Sequence, residues 1–176
     1  FCGIVENFFI ASTIDCIAWT SAVMIPKTIF NSIGGFNENM RSGQDTEFWI
    51  RICLKHTLAF CSKATANKVI NFDEYHLSNS KFKSDRLKIF SRFAHEESKN
   101  LSLKKYLDLN RFSMTIECKI NGDKENYKIL RKSIDENHLN SKQKLLLKIP
   151  KIGLIFLKKV QLWFIMNNIY MTPFKS

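Results

Sequence analysis

The rhythm of apolar and polar positions changes near residue 84. Before it, short apolar runs alternate with Gly, Asn and Ser turns, the texture of α/β or α+β segments. After it, Leu, Ile and Phe recur at helical spacing among Lys and Glu, and glycine nearly vanishes. In the first region, "CIAWTSAVMI" (Cys16 to Ile25) predicts a strand that Pro26 ends. "KTIFNSIGG" predicts a short helix with Ile29, Phe30 and Ile33 on one face. Gly34 and Gly35 supply its left-handed stop. A second helix is expected from Gln44 to about His56, followed by strands in "TLAFCS" and "NKVINF".

In the second region, "SDRLKIFSRFAHEE" predicts one helix, capped by Ser84 and striped by Leu87, Phe90 and Phe93 or Ala94. "SLKKYLDLNRFSMTIECKI" and "ENYKILRKSIDEN" predict two more, separated by an Asn-Gly-Asp turn. The last segment is the most apolar. Its uncharged runs, Ile152 to Leu157 and Val160 to Met171, are broken by Lys158 and Lys159. Neither reaches the roughly 18–20 apolar residues that cross a bilayer. A helix from Ile152 to Tyr170 would gather Lys151, Lys158 and Lys159 on one side, with Trp163 and Tyr170 suited to an interface. That pattern predicts a helix lying in a membrane surface, the alternative being a buried helix packed on the rest of the protein.

Charge strengthens the membrane expectation. The net charge is +11, and the last acid is Glu136. Lys142, Lys144, Lys148, Lys151, Lys158, Lys159 and Lys175 follow it unopposed. Such a block suits an anionic partner. No helix-turn-helix or aromatic-basic RNA signature accompanies it, so nucleic acid is not expected. Cys2, Cys16, Cys53, Cys61 and Cys118 form no CxxC pair and no metal-ligand spacing. Their apolar neighbours predict buried, reduced thiols in a cytosolic protein. The 176 residues suit one ordinary domain. The chain opens on Phe1 with no signal segment, so an upstream part is expected.

The stretch "GGFNENMRSGQDTEFWIRI" places an acid at the head of an apolar helix. At ~100° per residue, Glu47, Arg51 and Lys55 share a stripe that reads as the solvent face. Asp45 instead aligns with Trp49, Ile52 and His56. Ser42 to Asp45 fits a capping box, and an acid in the first turn suits the helix dipole. The same placement suits a general base: an ionised carboxylate shielded by aromatic neighbours, behind glycines that let a ligand approach. Spacing alone leaves both roles open.

At this point the residues resemble a family. "SAVMIPKTIFNSIGGFNENMRSGQDTEFWIRI" is similar to the acceptor-side half of family 2 glycosyltransferases, the inverting GT-A type. There a strand leads through a short helix into a GGFDE turn and a G-(E/Q)-D-x-(D/E)-(L/F)-x-x-R helix. The resemblance covers about Phe8 to Ser80. It implies Asp45 as the base that takes a proton from an acceptor hydroxyl. It implies substrate-binding roles for Gly35, Phe36, Gln44 and Arg51, and for Trp19, Thr20 and Ser21 on the preceding strand. In "FDEYHLSNS", His76 matches a histidine that helps hold metal or diphosphate in some members, and Asp73 and Glu74 are further oxygen donors. The family's D-x-D, which holds Mg²⁺ or Mn²⁺, does not occur in this sequence.

The expected fold is therefore α/β, a partial GT-A fold with a mixed sheet, followed by a mostly α-helical extension. Residues 1–83 would be the acceptor-side half, 84–140 the helical extension, and 141–176 the basic membrane-associating tail. The implied partners are a nucleotide-sugar donor, a glycan or lipid-linked acceptor and an anionic membrane surface. The divalent metal would be held mainly by a missing nucleotide-binding half, so this chain alone is expected to be inactive. Its expected place is the cytoplasmic face of the plasma membrane. The alternative is a non-enzymatic basic helical module that binds anionic membranes.

Overall fold

The structure is a computed structural model, and residues 1–66, 83–167, 169–170 and 172–175 are described. The chain divides into two compact units, Phe1–Asn100 and Leu101–Ser176.

In the first unit, β1 (Cys2–Val5) pairs antiparallel with β2 (Leu58–Cys61). The register sets Cys2 opposite Cys61, and a disulfide joins them. The expectation of reduced thiols thus fails for this pair, because directly opposed positions on antiparallel strands bring two side chains together. Cys16 is exposed, while Cys53 and Cys118 are half-buried. Burial, with a smaller push from nearby Cys16, raises the Cys53 thiol to about 12.

Helices follow β1. They are α1 (Phe8–Ala11), α2 (Lys27–Ile33), α3 (Gln44–Cys53) and, after β2, α4 (Lys83–Arg92). The short α5 (Ala94–Lys99) ends the unit. Helix α2 stops where Gly34 turns left-handed at φ 91°, as its sequence predicts. The single helix expected over residues 84–97 is instead two, broken at the buried Phe93, and Ser84 falls inside α4 rather than capping it.

The mixed sheet is not found. Among the described residues the sheet has two antiparallel strands, and this is not a GT-A fold. The main departure is Cys16–Ile25. It forms no strand; Thr20–Ala22 make a 3₁₀ turn, and of the ten residues Ala18 is the buried one. A strand satisfies its backbone through a ladder, and this segment pairs with neither β1 nor β2. The expected strand in "NKVINF" lies outside the described residues.

The second unit is helical. The long α6 (Leu101–Asn121) packs against α7 (Lys124–Ser133), α8 (Ser141–Lys148) and α9 (Lys151–Met166). Asp123 caps α7 by accepting from the Asn126 N–H at 3.1 Å. Asn140 and Gln143 form a reciprocal capping box that starts α8. Leu109, Phe112, Ile134, Leu139 and Leu147 form a buried cluster, with Ile116, Leu146 and Phe174 against it. Within α6, Asp108 is fully buried. It accepts from Arg111 Nη1 at 2.9 Å, pairs with His138 Nδ1 at 2.7 Å and has Lys104 Nζ at 3.4 Å.

Candidate functional site

The turn from Gly34 to Gly43 and the first turns of α3 carry most of the expected site residues. Their geometry is set by one guanidinium. Arg51 donates from Nη1 to the Ile33 carbonyl and from Nη2 to the Gly35 carbonyl, each at 2.5 Å. Its Nε and Nη2 grip the two oxygens of Glu47 at 2.8 and 2.9 Å. A planar fork that satisfies a carboxylate and two carbonyls together fixes both position and orientation. Arg92 of α4 adds a contact from Nε to the same Glu47 oxygen at 2.9 Å.

This arrangement removes the expected solvent face of α3. Glu47 is fully buried rather than on a solvent stripe, and Arg51 is mostly covered. The run Glu47 to Ile50 is buried without interruption, so the helix has no exposed side along it. The expected shielding of Asp45 also fails: Asp45 is exposed. Nor does the Ser42 capping box form. The cap position belongs to Gly43, without a side-chain bond, which puts Asp45 at the second helical position. The Asp45 carboxylate accepts from the Thr46 N–H at 2.7 Å.

Beneath the turn is an aromatic cluster. Phe36 stands 4.5 Å from Phe48 and 6.3 Å from Trp49 between ring centroids, and Phe30 closes on Phe48 at 5.4 Å. Phe36 is thus a packing residue here, and Gly35 lies close over Phe30, where an added Cβ would meet the ring at 3.2 Å. Gln44 opens α3 and is half-buried. Trp19, Thr20 and Ser21 are exposed on the 3₁₀ turn. His76, with Asp73 and Glu74, lies outside the described residues. Among the described residues no group of three or more His, Cys, Asp or Glu could hold a metal ion.

Gly43 is the second fixed point. Its φ is +80°, and a Cβ there would sit 3.0 Å from Arg86 Cγ and 3.2 Å from Ile89 Cδ1 of α4. Gly43→Ala is expected to destabilise the first unit by about 1–2 kcal/mol, chiefly from the left-handed backbone. A urea midpoint shifted down at constant slope would register it, and an unchanged midpoint would refute it. Next to this contact, the Arg41 N–H donates to Asp85 at 3.1 Å. The Lys88 ammonium beside Asp85, with that N–H, holds its carboxyl below the ordinary value of 3.8.

Among the described residues two carboxylates, Glu47 and Asp108, are fully buried, and neither is an expected site residue. The available signal was an acid one helical turn from arginine inside an otherwise apolar run. Compared with protein-family models, with curated proteins and with solved structures, the chain matches none.

Proposed function

We propose that the first unit serves as the acceptor-side, base-bearing part of an inverting glycosyltransferase, acting with a nucleotide-binding part that lies outside these residues. The observation that carries the reading is the combination at the head of α3. A carboxylate, Asp45, is open to solvent at the positive end of a helix whose preceding turn is locked by Arg51. The Arg51 bonds hold the Ile33 and Gly35 carbonyls in place ahead of it. In this reading Asp45 takes the proton from an acceptor sugar hydroxyl. The hydroxyl oxygen attacks the anomeric carbon of the nucleotide sugar, and the bond to the diphosphate oxygen breaks. The diphosphate leaves with that electron pair, and the configuration inverts. Exposed Trp19 offers a flat apolar face to a sugar ring, with the Thr20 and Ser21 hydroxyls beside it in sequence. A divalent cation at the leaving group would be held by residues other than the described ones.

The test is transfer by the full-length gene product against a panel of nucleotide sugars, read as release of nucleoside diphosphate. Asp45→Asn is expected to lower the rate at least ~10²-fold, the scale of a lost general base, with the circular dichroism unchanged. Transfer at a near wild-type rate would remove Asp45 from the mechanism.

A further inference from the structure

Helix α9 carries an outward apolar row. Ile152, Phe156, Trp163 and Met166 are 83, 65, 60 and 69% exposed. On a helix turning ~100° per residue, these four fall within a sector of about 80°. Leu154, on the other side, is buried as α9 packs on α6. Single exposed apolar residues are ordinary on a protein surface, whereas an aligned row of large ones marks an interaction. Both ends of α9 are defined. Pro150 starts the helix, its carbonyl accepting from the Leu154 N–H at 3.0 Å. Beyond the helix, Phe174 returns to Phe112 at 5.9 Å between ring centroids, and the Pro173 carbonyl accepts from Asn140 at 2.8 Å.

The charges near the row select what it meets. Lys159 lies in the same sector, and Lys151 and Lys158 lie about 60–80° beyond one edge of it. A second copy of the helix would bury Lys159 in a seam with no acid on α9 to pair it. A nucleic acid would match the lysines and leave the aliphatic and aromatic side chains without a partner. A lipid surface accommodates both, since lysine stems run along apolar groups while the ammonium reaches phosphate. The helix has 16 residues, about 24 Å at ~1.5 Å each. That is short of the roughly 30 Å hydrocarbon core, and no helix among the described residues is long and apolar enough to cross a membrane.

We infer that α9 lies in the headgroup plane of an anionic bilayer. Ile152, Phe156, Trp163 and Met166 insert among the acyl chains, and Lys151, Lys158 and Lys159 meet lipid phosphates. This goes beyond the proposed transfer reaction and does not depend on it. The test is flotation of the full chain with phosphatidylcholine vesicles, with and without about 30% phosphatidylglycerol. Wild type is expected to float with the anionic vesicles, weakly with the neutral ones, and less as salt rises. Phe156→Glu, at an exposed position, should reduce the bound fraction about tenfold or more, since it puts a charge in the apolar row. A triple Lys151→Gln, Lys158→Gln, Lys159→Gln variant should lose the preference for anionic lipid. Absence of flotation, or equal flotation of Phe156→Glu and wild type, would overturn the inference. So would self-association in sedimentation that Phe156→Glu abolishes while vesicle binding is absent.

Discussion

Glu47→Ala is expected to lower the stability of the first unit by about 3–5 kcal/mol, the penalty for removing one partner of a buried ion pair. The carboxylate is fully buried between two guanidinium groups, and they respond differently to its loss. Arg92 is 48% exposed and can turn to water. Arg51 is 16% exposed and stays tied to the Ile33 and Gly35 carbonyls, so its charge is left buried and half-paired. Replacing both partners with apolar side chains can rescue some buried pairs. It is not expected to do so here, because the two carbonyls would then lose their donors. Asp45→Ala, at an exposed position, provides the control, with a change within about 1 kcal/mol. Hydrogen exchange at the α3 amides resolves the first unit from the second. A Glu47→Ala loss as small as that of Asp45→Ala would show that the buried pair does not hold the turn.

Asp108→Ala is the counterpart in the second unit, with a similar expected loss of about 3–5 kcal/mol. Arg111 is 4% exposed and Asp108 is one of its partners, at 2.9 Å. The same carboxylate reaches His138 on the 3₁₀ turn Glu136–His138, so its removal also frees the connection between α7 and α8. Asp108→Asn keeps the volume and one accepting oxygen, and should lose clearly less. Urea unfolding with both variants separates the charge from the shape. Equal losses in the two would mean that ionisation at Asp108 contributes little.

Much of the helical architecture was legible because its signals are local. Gly34 ended α2, the Asn-Gly-Asp turn separated α6 from α7, and the apolar spacing placed α3, β2 and α9. The misreadings arose where a residue's partner is distant in sequence. Projection treats every charge as seeking water, so it sends Glu47 and Arg51 to solvent. Their burial is tolerated because they satisfy each other together with carbonyls 16 and 18 residues away from Arg51. The apolar run Cys16–Ile25 has strand composition, yet composition cannot supply a neighbour for its backbone. Likewise, Cys2 and Cys61 are 59 residues apart, and the register that opposes them is a property of the folded pair of strands. At the candidate site, the position of Asp45 at the helix head was readable, while its exposure depended on which side of α3 the rest of the unit covers.

The Arg51 fork has a consequence for transplantation. A loop grafted into another scaffold keeps its shape when everything that braces it travels with it. Here the Gly34–Gly43 turn is braced by the end of α2, by Arg51 of α3 and by α4, where Asp85 accepts from the Arg41 N–H and Arg92 reaches Glu47. A graft of the turn alone would arrive without these braces, and a piece from Lys27 to Cys53 would still leave the α4 braces behind. A chimera spliced between Gly35 and Arg51 separates Arg51 from the carbonyls it fastens.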